Sequence, residues 1–509
     1  LKVLPALTTL LVAALIGGVT GVAGLAGLAR ADTGYFNGDL GARASGRGGA
    51  FVARADDVTA VSYNPAGLAK IRGTVFEIGN QFSYNAYDYT RAPTLDYGQS
   101  GTAPPMVSFQ TVSNGSAWQA ADPLLGVATD LGLPNWGFAL AAFAPPGISR
   151  EQYPLGPGAA FDEGAQRYMM VNREAIIVDY AASAAWKHGD TFGLGATLEW
   201  ITMPRLVYSL VINGSRAPGA FNPVSSQYDL LATTTGSAWF TFNAILGAWF
   251  RPVPSVELAV SGQVIPTSMV THSTLSITPQ NPSVVGDVTL SRNGDPANDV
   301  SVTLPLPLIA RAGGRYRGLA GARERFDVEL DLEYETWSRA KSFTVDGNGL
   351  EATASNVAGV AIPIDHIDIA KQWRDTIAFK LGGDINLVPD RWTLRAGAYY
   401  ETAVAPPAYA NIDFPGGPRI GAALGASFLM PRWEVMLSYQ LRYQQAVSVS
   451  EADARLYQQT PASPCVAPYQ DMNTCNPNFL GQPGPAVNAG HYGAASHLVT
   501  LALVYRYGS

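Results

Sequence analysis

Charge is scarce in this sequence. Only 14% of its 509 residues are Asp, Glu, Lys or Arg, against roughly a quarter in an average globular chain, and this excludes a disordered, coiled-coil or highly charged architecture. The balance is 33 basic to 40 acidic residues, a net charge of −7. There is no basic footprint of the kind that holds a phosphate backbone, so nucleic acid is excluded as a partner. Histidine is equally thin. The five histidines, at 188, 272, 366, 491 and 497, fall in no HxxxH or HExxH spacing, and neither a metal nor a cofactor is expected. Beyond residue 72 there is no apolar run long enough for a membrane helix and no long amphipathic helix, which leaves no basis for a helical bundle. What the chain has instead is 53 Gly, 23 Tyr, 19 Phe and 10 Trp in a sequence that is 47% hydrophobic.

The first 31 residues read as a signal peptide. Between Lys2 and Arg30 lie 27 uncharged residues rich in Leu, Ala, Val and Gly, and Ala29-Arg30-Ala31 closes them with a small-x-small site. A single bilayer span is the second reading of the same run. Export into a Gram-negative type envelope follows from the first.

From residue 73 onward the hydrophobic period is two. Over residues 326–335, Phe326, Val328, Leu330, Leu332 and Tyr334 alternate with Asp327, Glu329, Asp331, Glu333 and Glu335. Trp433, Val435, Leu437, Tyr439, Leu441 and Tyr443 alternate in the same way with polar residues, and Trp392, Leu394, Ala396, Ala398 and Tyr400 form an apolar band with an aromatic at each end. Only strands fit this period. Such runs predict about fourteen strands, near 74–89, 121–130, 135–145, 170–187, 191–209, 237–250, 255–272, 302–317, 325–345, 372–386, 391–403, 418–429, 432–449 and 495–507.

Short turns alternate with long loops rich in Gly, Pro, Ser and Asn. Antiparallel strands with short turns on one side, long loops on the other and aromatic-capped apolar faces predict an all-β fold, a transmembrane antiparallel barrel in the outer membrane. A secreted sandwich or propeller would have shorter strands. On the polar face, Arg311, Arg315 and Arg317 precede the acidic series 327–333, and Arg374 and Lys380 follow it. Pairing of these charges across neighbouring strands would satisfy a polar interior.

Residues 32–72 break the pattern. They hold small residues and short helix signals: Asp56 or Asp57 as a cap, and Asn64 before Pro65 as an N-cap and first helical residue. Gly46-x-Gly48 lacks the third glycine and the preceding strand of a nucleotide fingerprint. Compact helices ahead of a barrel wide enough for a lumen predict a plug. The domain reading is therefore a signal peptide (1–31), an N-terminal hatch (32–72) and a barrel (73–509).

The run Gly48-Gly49-Ala50-Phe51-Val52-Ala53, the Ala55-Asp56-Asp57 triplet and Tyr63-Asn64-Pro65-Ala66-Gly67-Leu68 resemble the FadL/TodX family of outer-membrane transporters for long-chain fatty acids and other hydrophobic compounds. Trp337-Ser338, Trp373-Arg374-Asp375 and 392–397 extend the resemblance over most of the chain. It implies fourteen strands around a hatch to which Asn64, Pro65 and Ala66 belong, and a kinked third strand opening sideways into the membrane. The kink maps approximately onto the run ending Phe143-Ala144-Pro145-Pro146-Gly147. Pro and Gly break ladders, so Pro145, Pro146 and Gly147 are the candidate lateral opening, with an ordinary strand end as the alternative. Tyr35 and Phe36, near the mature N-terminus, are the ligand-proximal candidates by the same resemblance.

Cys465 and Cys475 stand in one predicted loop between the last two strands, where an exported protein is expected to carry a structural disulfide. Both chain ends fall on the short-turn side, which puts that loop outside the cell. No catalytic motif is present and the expectation is not an enzyme. The expected activity is passive transport of a hydrophobic small molecule or fatty acid by a monomer seated among outer-membrane lipids and lipopolysaccharide. A general diffusion porin and a rim-sited lipid hydrolase are the alternatives.

Overall fold

The computed structural model describes residues 39–95, 106–145, 150–155, 164–213, 226–321, 323–356, 361–457 and 486–508. Fourteen antiparallel strands close on themselves. They are β1 (Thr74–Arg91), β2 (Trp118–Thr129), β3 (Trp136–Phe143), β4 (Met170–His188), β5 (Phe192–Asn213), β6 (Asp229–Val253) and β7 (Val256–Gln263, resumed at Ser268–Pro279). The second half comprises β8 (Asp299–Pro305, resumed at Ile309–Ala320), β9 (Arg323–Glu335 and Ser342–Ala354), β10 (Ala361–Ala370 and Thr376–Val388), β11 (Trp392–Glu401), β12 (Arg419–Leu429), β13 (Trp433–Val449) and β14 (Gly490–Tyr507). Closure runs through β1 and β14, paired from Thr74↔Tyr507 to Arg91↔Gly490.

Lipid decides the outer face. Phe326, Val328, Leu330, Leu332 and Tyr334 are exposed, while Asp327, Glu329, Asp331, Glu333 and Glu335 are buried inside. Aromatics cap the apolar band twice: Phe76, Phe326, Trp392 and Trp433 near the short turns, Trp118, Tyr180, Trp200, Tyr334 and Tyr400 towards the loops. Phe326 to Tyr334, and Trp392 to Tyr400, are eight residues apart. At roughly 3.3 Å per residue and a tilt near 40° that is a band about 20 Å tall, close to the apolar height of an outer-membrane wall.

Four strands depart from the expected runs at one level. β7 is interrupted around Pro266, β8 between Pro305 and Ile309, β9 at the 3₁₀ turn Trp337–Arg339, and β10 between Ala370 and Thr376. The run expected as one strand over 325–345 is thus two segments, and residues 372–375, expected in a strand, lie in the interruption. Proline cannot donate to a ladder, and at Trp337 and Trp373 the side chains turn inward and are buried. Above this waist β4 to β10 continue well past the apolar band. β3 is shorter than expected, ending at Phe143, so Pro145 falls outside it.

Candidate functional site

Residues 39–73 lie inside the barrel at the short-turn end. Two short helices, α1 (Ala42–Gly46) and α2 (Ala60–Tyr63), and a 3₁₀ turn (Pro65–Lys70) carry almost entirely buried side chains. Arg47, fully buried, donates from Nη1 to Asp327 Oδ1 (2.9 Å) and Asp384 Oδ1 (2.7 Å) and from Nη2 to Glu329 Oε2 (2.8 Å). The amides of Phe51 and Val52 donate to Asp331 Oδ2 (2.7 and 2.9 Å), and that of Ala53 to Glu329 Oε1 (2.6 Å). Arg43 joins Asp56 (2.9 Å) to Glu434 of β13 (3.0 Å), and Lys70 pairs with Glu257 of β7.

These contacts revise the expected charge network. Arg311 does meet Glu333 (2.5 Å) and Arg315 meets Asp327 (2.5 Å), with Lys380 on Glu333 (2.7 Å). Glu329 and Asp331, however, are taken by the plug, and Arg374 is exposed and donates its amide to Val404. The acidic face of β9 is a docking strip for the plug as much as a wall-to-wall ladder.

Asn64 acts as the sequence implies. Its Oδ1 accepts from the Ala66 amide (3.2 Å), and its Nδ2 donates to Val52 O (3.0 Å) and to Ala248 O of β6 (3.1 Å). Pro65 opens the turn and Ala66 O accepts from Trp249 Nε1 at 3.0 Å. The wall leaves room for this: a Cβ on Gly247 would stand 2.1 Å from Asn64 Oδ1, and one on Gly397 2.0 Å from Arg47 O. Asp57, not Asp56, sits ahead of α2, accepting from the amide and hydroxyl of Thr59 (2.9 and 2.6 Å).

The electrostatics of the plug follow from these pairs. Burial works against charge on Arg47, but Asp327, Asp384 and Glu329 outweigh it and hold the guanidinium above its usual range. Asp56 is held well below the ordinary carboxylate range, because Arg54 and Arg43 overcome the burial that would raise it. Asp57 goes the other way, since burial outweighs Arg43 and the Thr59 hydrogen bonds.

Above the plug, two cavities stand end to end. The lower one, of about 110 Å³, is polar and lies between Leu40 and Tyr63 of the plug and the wall, where Asp179, Glu199, Glu335 and Arg311 face it. The upper one, of about 380 Å³, lies above the waist and is walled by aliphatic side chains, Leu206, Leu210, Leu275, Ile277, Val302 and Ile364 among them. Its volume lies in the range of small-molecule sites, about 300–1,000 Å³. The partition is thin. On β5, Ile201 faces the lower cavity and Met203 the upper; on β8, Leu306 and Leu304 do the same. Two strand residues span only about 7 Å. Four aromatics brace this level: Trp337 and Trp373 (ring centroids 5.2 Å apart), Phe343 and Phe414 (each 5.6 Å from Trp373), all nearly perpendicular.

The lower cavity also reaches Phe143 and Pro145. The ladder of β3 stops there. Its last bond is Ala144 N to Pro123 O (2.9 Å), and its last pair with β4 is Phe143↔Asp179. β4 regains a partner on that side only at Arg173↔Glu151, so residues 174–178 face no ladder partner there among the described residues. Of the sequence candidates, the structure brings Asn64, Pro65 and Ala66 together in the plug and puts Pro145 beside the lower cavity. Pro146, Gly147, Tyr35, Phe36, Cys465 and Cys475 lie outside the described residues, as does the signal segment. The docking residues Arg47, Glu329 and Asp331 and the lining of the upper cavity were not singled out as sites. For the two tryptophans at the waist, the signal was there in a Trp at the interruptions of β9 and β10, Trp337 and Trp373.

The fold has solved counterparts. A Pseudomonas aeruginosa FadL homologue superposes with a TM-score of 0.68 at 18% identity, covering 93% of this chain and 99% of its own. The P. putida toluene transporter TodX gives 0.60 at 13% identity (94% and 100%), and the Ralstonia pickettii toluene transporter TbuX 0.56 at 13% (92% and 98%). None of the curated proteins matches the chain. The family model described as outer membrane protein transport protein (OMPP1/FadL/TodX) matches residues 38–464. With a plugged fourteen-stranded barrel and a lipid-facing wall to set beside that match, the chain belongs to this family of outer-membrane transporters of hydrophobic compounds in Gram-negative type cells.

Proposed function

We propose that the barrel takes up a hydrophobic molecule, a long-chain fatty acid or a hydrocarbon, through the upper cavity and releases it sideways into the membrane. Long loops face outside in such barrels, so the upper cavity is the extracellular binding pocket. From there the molecule passes the aromatic waist when the plug shifts near Tyr63 and Asn64, enters the lower cavity and leaves where β3 ends. The observation that carries this reading is the lower cavity's reach to Pro145, at the one place where β4 lacks a described neighbour. Residues 1–31 are then a removed signal and 32–72 the gating hatch of a monomer that sits among outer-membrane lipids and lipopolysaccharide.

Energetics favour the sideways route. Each methylene transferred to water costs about 0.8 kcal/mol, so a twelve-carbon chain released into the periplasm gives up about 10 kcal/mol, while the bilayer keeps it apolar. A diffusion porin would need an open lumen, and the buried docking of Arg47 argues against one.

The test is a disulfide across the break. Continuing the Phe143↔Asp179 register places position 145 opposite 177. Pro145→Cys with Ile177→Cys should stop growth on hydrophobic substrates under oxidising conditions and restore it on reduction. Full uptake by demonstrably crosslinked protein would place the exit elsewhere, through the plug itself.

A further inference from the structure

Arg173 lines the upper cavity, Lys371 stands behind two of its aromatic walls, Phe343 and Phe414, and each cation is already answered by a carboxylate of the protein. Arg173 pairs with Glu151 through Nη2, donates from Nη1 to Asp413 O (3.0 Å), and lies flat on the Phe414 ring at 4.2 Å. Lys371 Nζ meets Asp413 Oδ2 at 2.5 Å, and Tyr208 donates to the same oxygen at 3.0 Å. Arg173, Glu151, Lys371 and Asp413 are all buried, so the group is two positive and two negative charges paired within the protein.

We infer that the ligand of the upper cavity is uncharged: a hydrocarbon or a neutral long-chain amphiphile, not a fatty-acid anion. This rests on the transport reading above and narrows its substrate class. A carboxylate in this cavity would have to displace Glu151 or Asp413 from its cation, leaving a buried charge without a partner, or stay unpaired itself. Either costs several kcal/mol. An alcohol, ester or alkane meets no such penalty and gains the full aliphatic wall.

The approaches follow the same pattern. At the mouth, His366 is held between Asp346 and Asp368, so its charge is spoken for when it has one. Beyond the waist the lower cavity is faced by six carboxylates, Asp179 and Glu199 among them, against four cations. Of those cations, Arg311 and Lys380 share Glu333, Arg419 pairs with Glu401, and Arg442 donates to Gln440 Oε1 (2.8 Å). Along the route, therefore, each of these cations already has a polar partner within the protein.

The experiment is photolabelling of the whole barrel in lipid nanodiscs with diazirine-bearing dodecanol and dodecanoate at about pH 8, where the acid is ionised, read by peptide mapping. Dodecanol should label residues 203–212, 275–277 and 343–345 at least about tenfold more than dodecanoate. Glu151→Gln, checked for folding by heat-modifiable migration, should raise dodecanoate labelling there by releasing Arg173. Equal or stronger labelling by dodecanoate in the native chain would overturn the inference and leave the transport reading standing. An unchanged ratio in Glu151→Gln would overturn its attribution to the ion pairs. Absence of cavity labelling by either probe would overturn the binding pocket itself, and the inference with it.

Discussion

At the short-turn end the inward face of the barrel carries Asp327, Glu329, Asp331, Asp384 and Glu434, and plug atoms occupy it; at the long-loop end it carries Leu206, Ile277, Val302 and Ile364, which enclose a cavity. The outer face of both is decided by one solvent, lipid, and its apolar period holds along the membrane band. The inner face answers to its occupant. A covalently attached plug can bring Arg47 and a row of amides to buried carboxylates permanently, which makes a charged interior tolerable. A transient apolar ligand can bring no such partners, so the wall around it is aliphatic and its few charges are settled within the protein.

That contrast can be broken from below. Arg47→Met leaves Asp327, Glu329 and Asp384 without the cation they share, although Arg54 also reaches Asp327 at 3.1 Å. The expected cost is about 3–5 kcal/mol, read as a loss of hydrogen-exchange protection by a factor of about a hundred or more at the Phe51 and Val52 amides. Unchanged protection would mean that the charges do not hold the plug.

It can also be broken from above. Leu206→Asp puts an unpaired carboxylate into the aliphatic wall. Uptake of a hydrophobic substrate by cells should fall at least about tenfold, since the charge costs more than about 1.4 kcal/mol, while plug amides keep their protection. A parallel loss of plug protection would show that the two regions are not separable.

Acidity should sharpen the difference, because the plug is docked through charged groups while the upper cavity wall is mainly aliphatic. Asp56 is depressed in the docked state, so its stabilisation is present above the ordinary carboxylate range and is lost as pH falls through and below about 4. Asp57 is raised, so its charge is a penalty at neutral pH that acidification relieves, and the two contributions oppose each other. In Asp57→Asn the opposing contribution is removed. Plug protection should then be flat from about pH 8 to 5 and decline below about 4. A decline that begins near neutrality would assign the pH response to another group.

The smallest expected effect is at Asn64. Asn64→Ala removes one cap, worth about 1 kcal/mol, together with the donors to Val52 O and Ala248 O. Ligand uptake should slow with the barrel still heat-modifiable on a gel. Loss of the folded barrel would make Asn64 a folding residue instead.

The wall was legible in the sequence because lipid imposes a strict rule on every second residue, as at Phe326 to Tyr334. The plug was legible in outline, since Asn64-Pro65 signals a helix start by its own chemistry. What was not legible depends on contacts across the lumen. Glu329 and Asp331 look alike in sequence to Asp327 and Glu333, yet three of their partners are the backbone amides of residues 51–53, nearly three hundred residues earlier. The upper cavity draws its lining from β4 to β10, and although β5 contributes the alternating Leu206, Tyr208, Leu210 and Ile212, nothing local tells a cavity-facing alternation from a lipid-facing one. The neutralising pair Lys371–Asp413 joins a strand interruption to a loop, where periodicity gives no guidance.

The central claim is that the lumen is shut to water and ions by the plug and open only to apolar molecules by way of the two cavities. Planar-bilayer conductance of the intact chain beside one lacking residues 39–72 tests it most directly. The account predicts a low, intermittent conductance for the intact protein and a large ohmic pore for the deletion. An intact protein that already conducts steadily like an open channel would contradict it and favour diffusion of hydrophilic solutes.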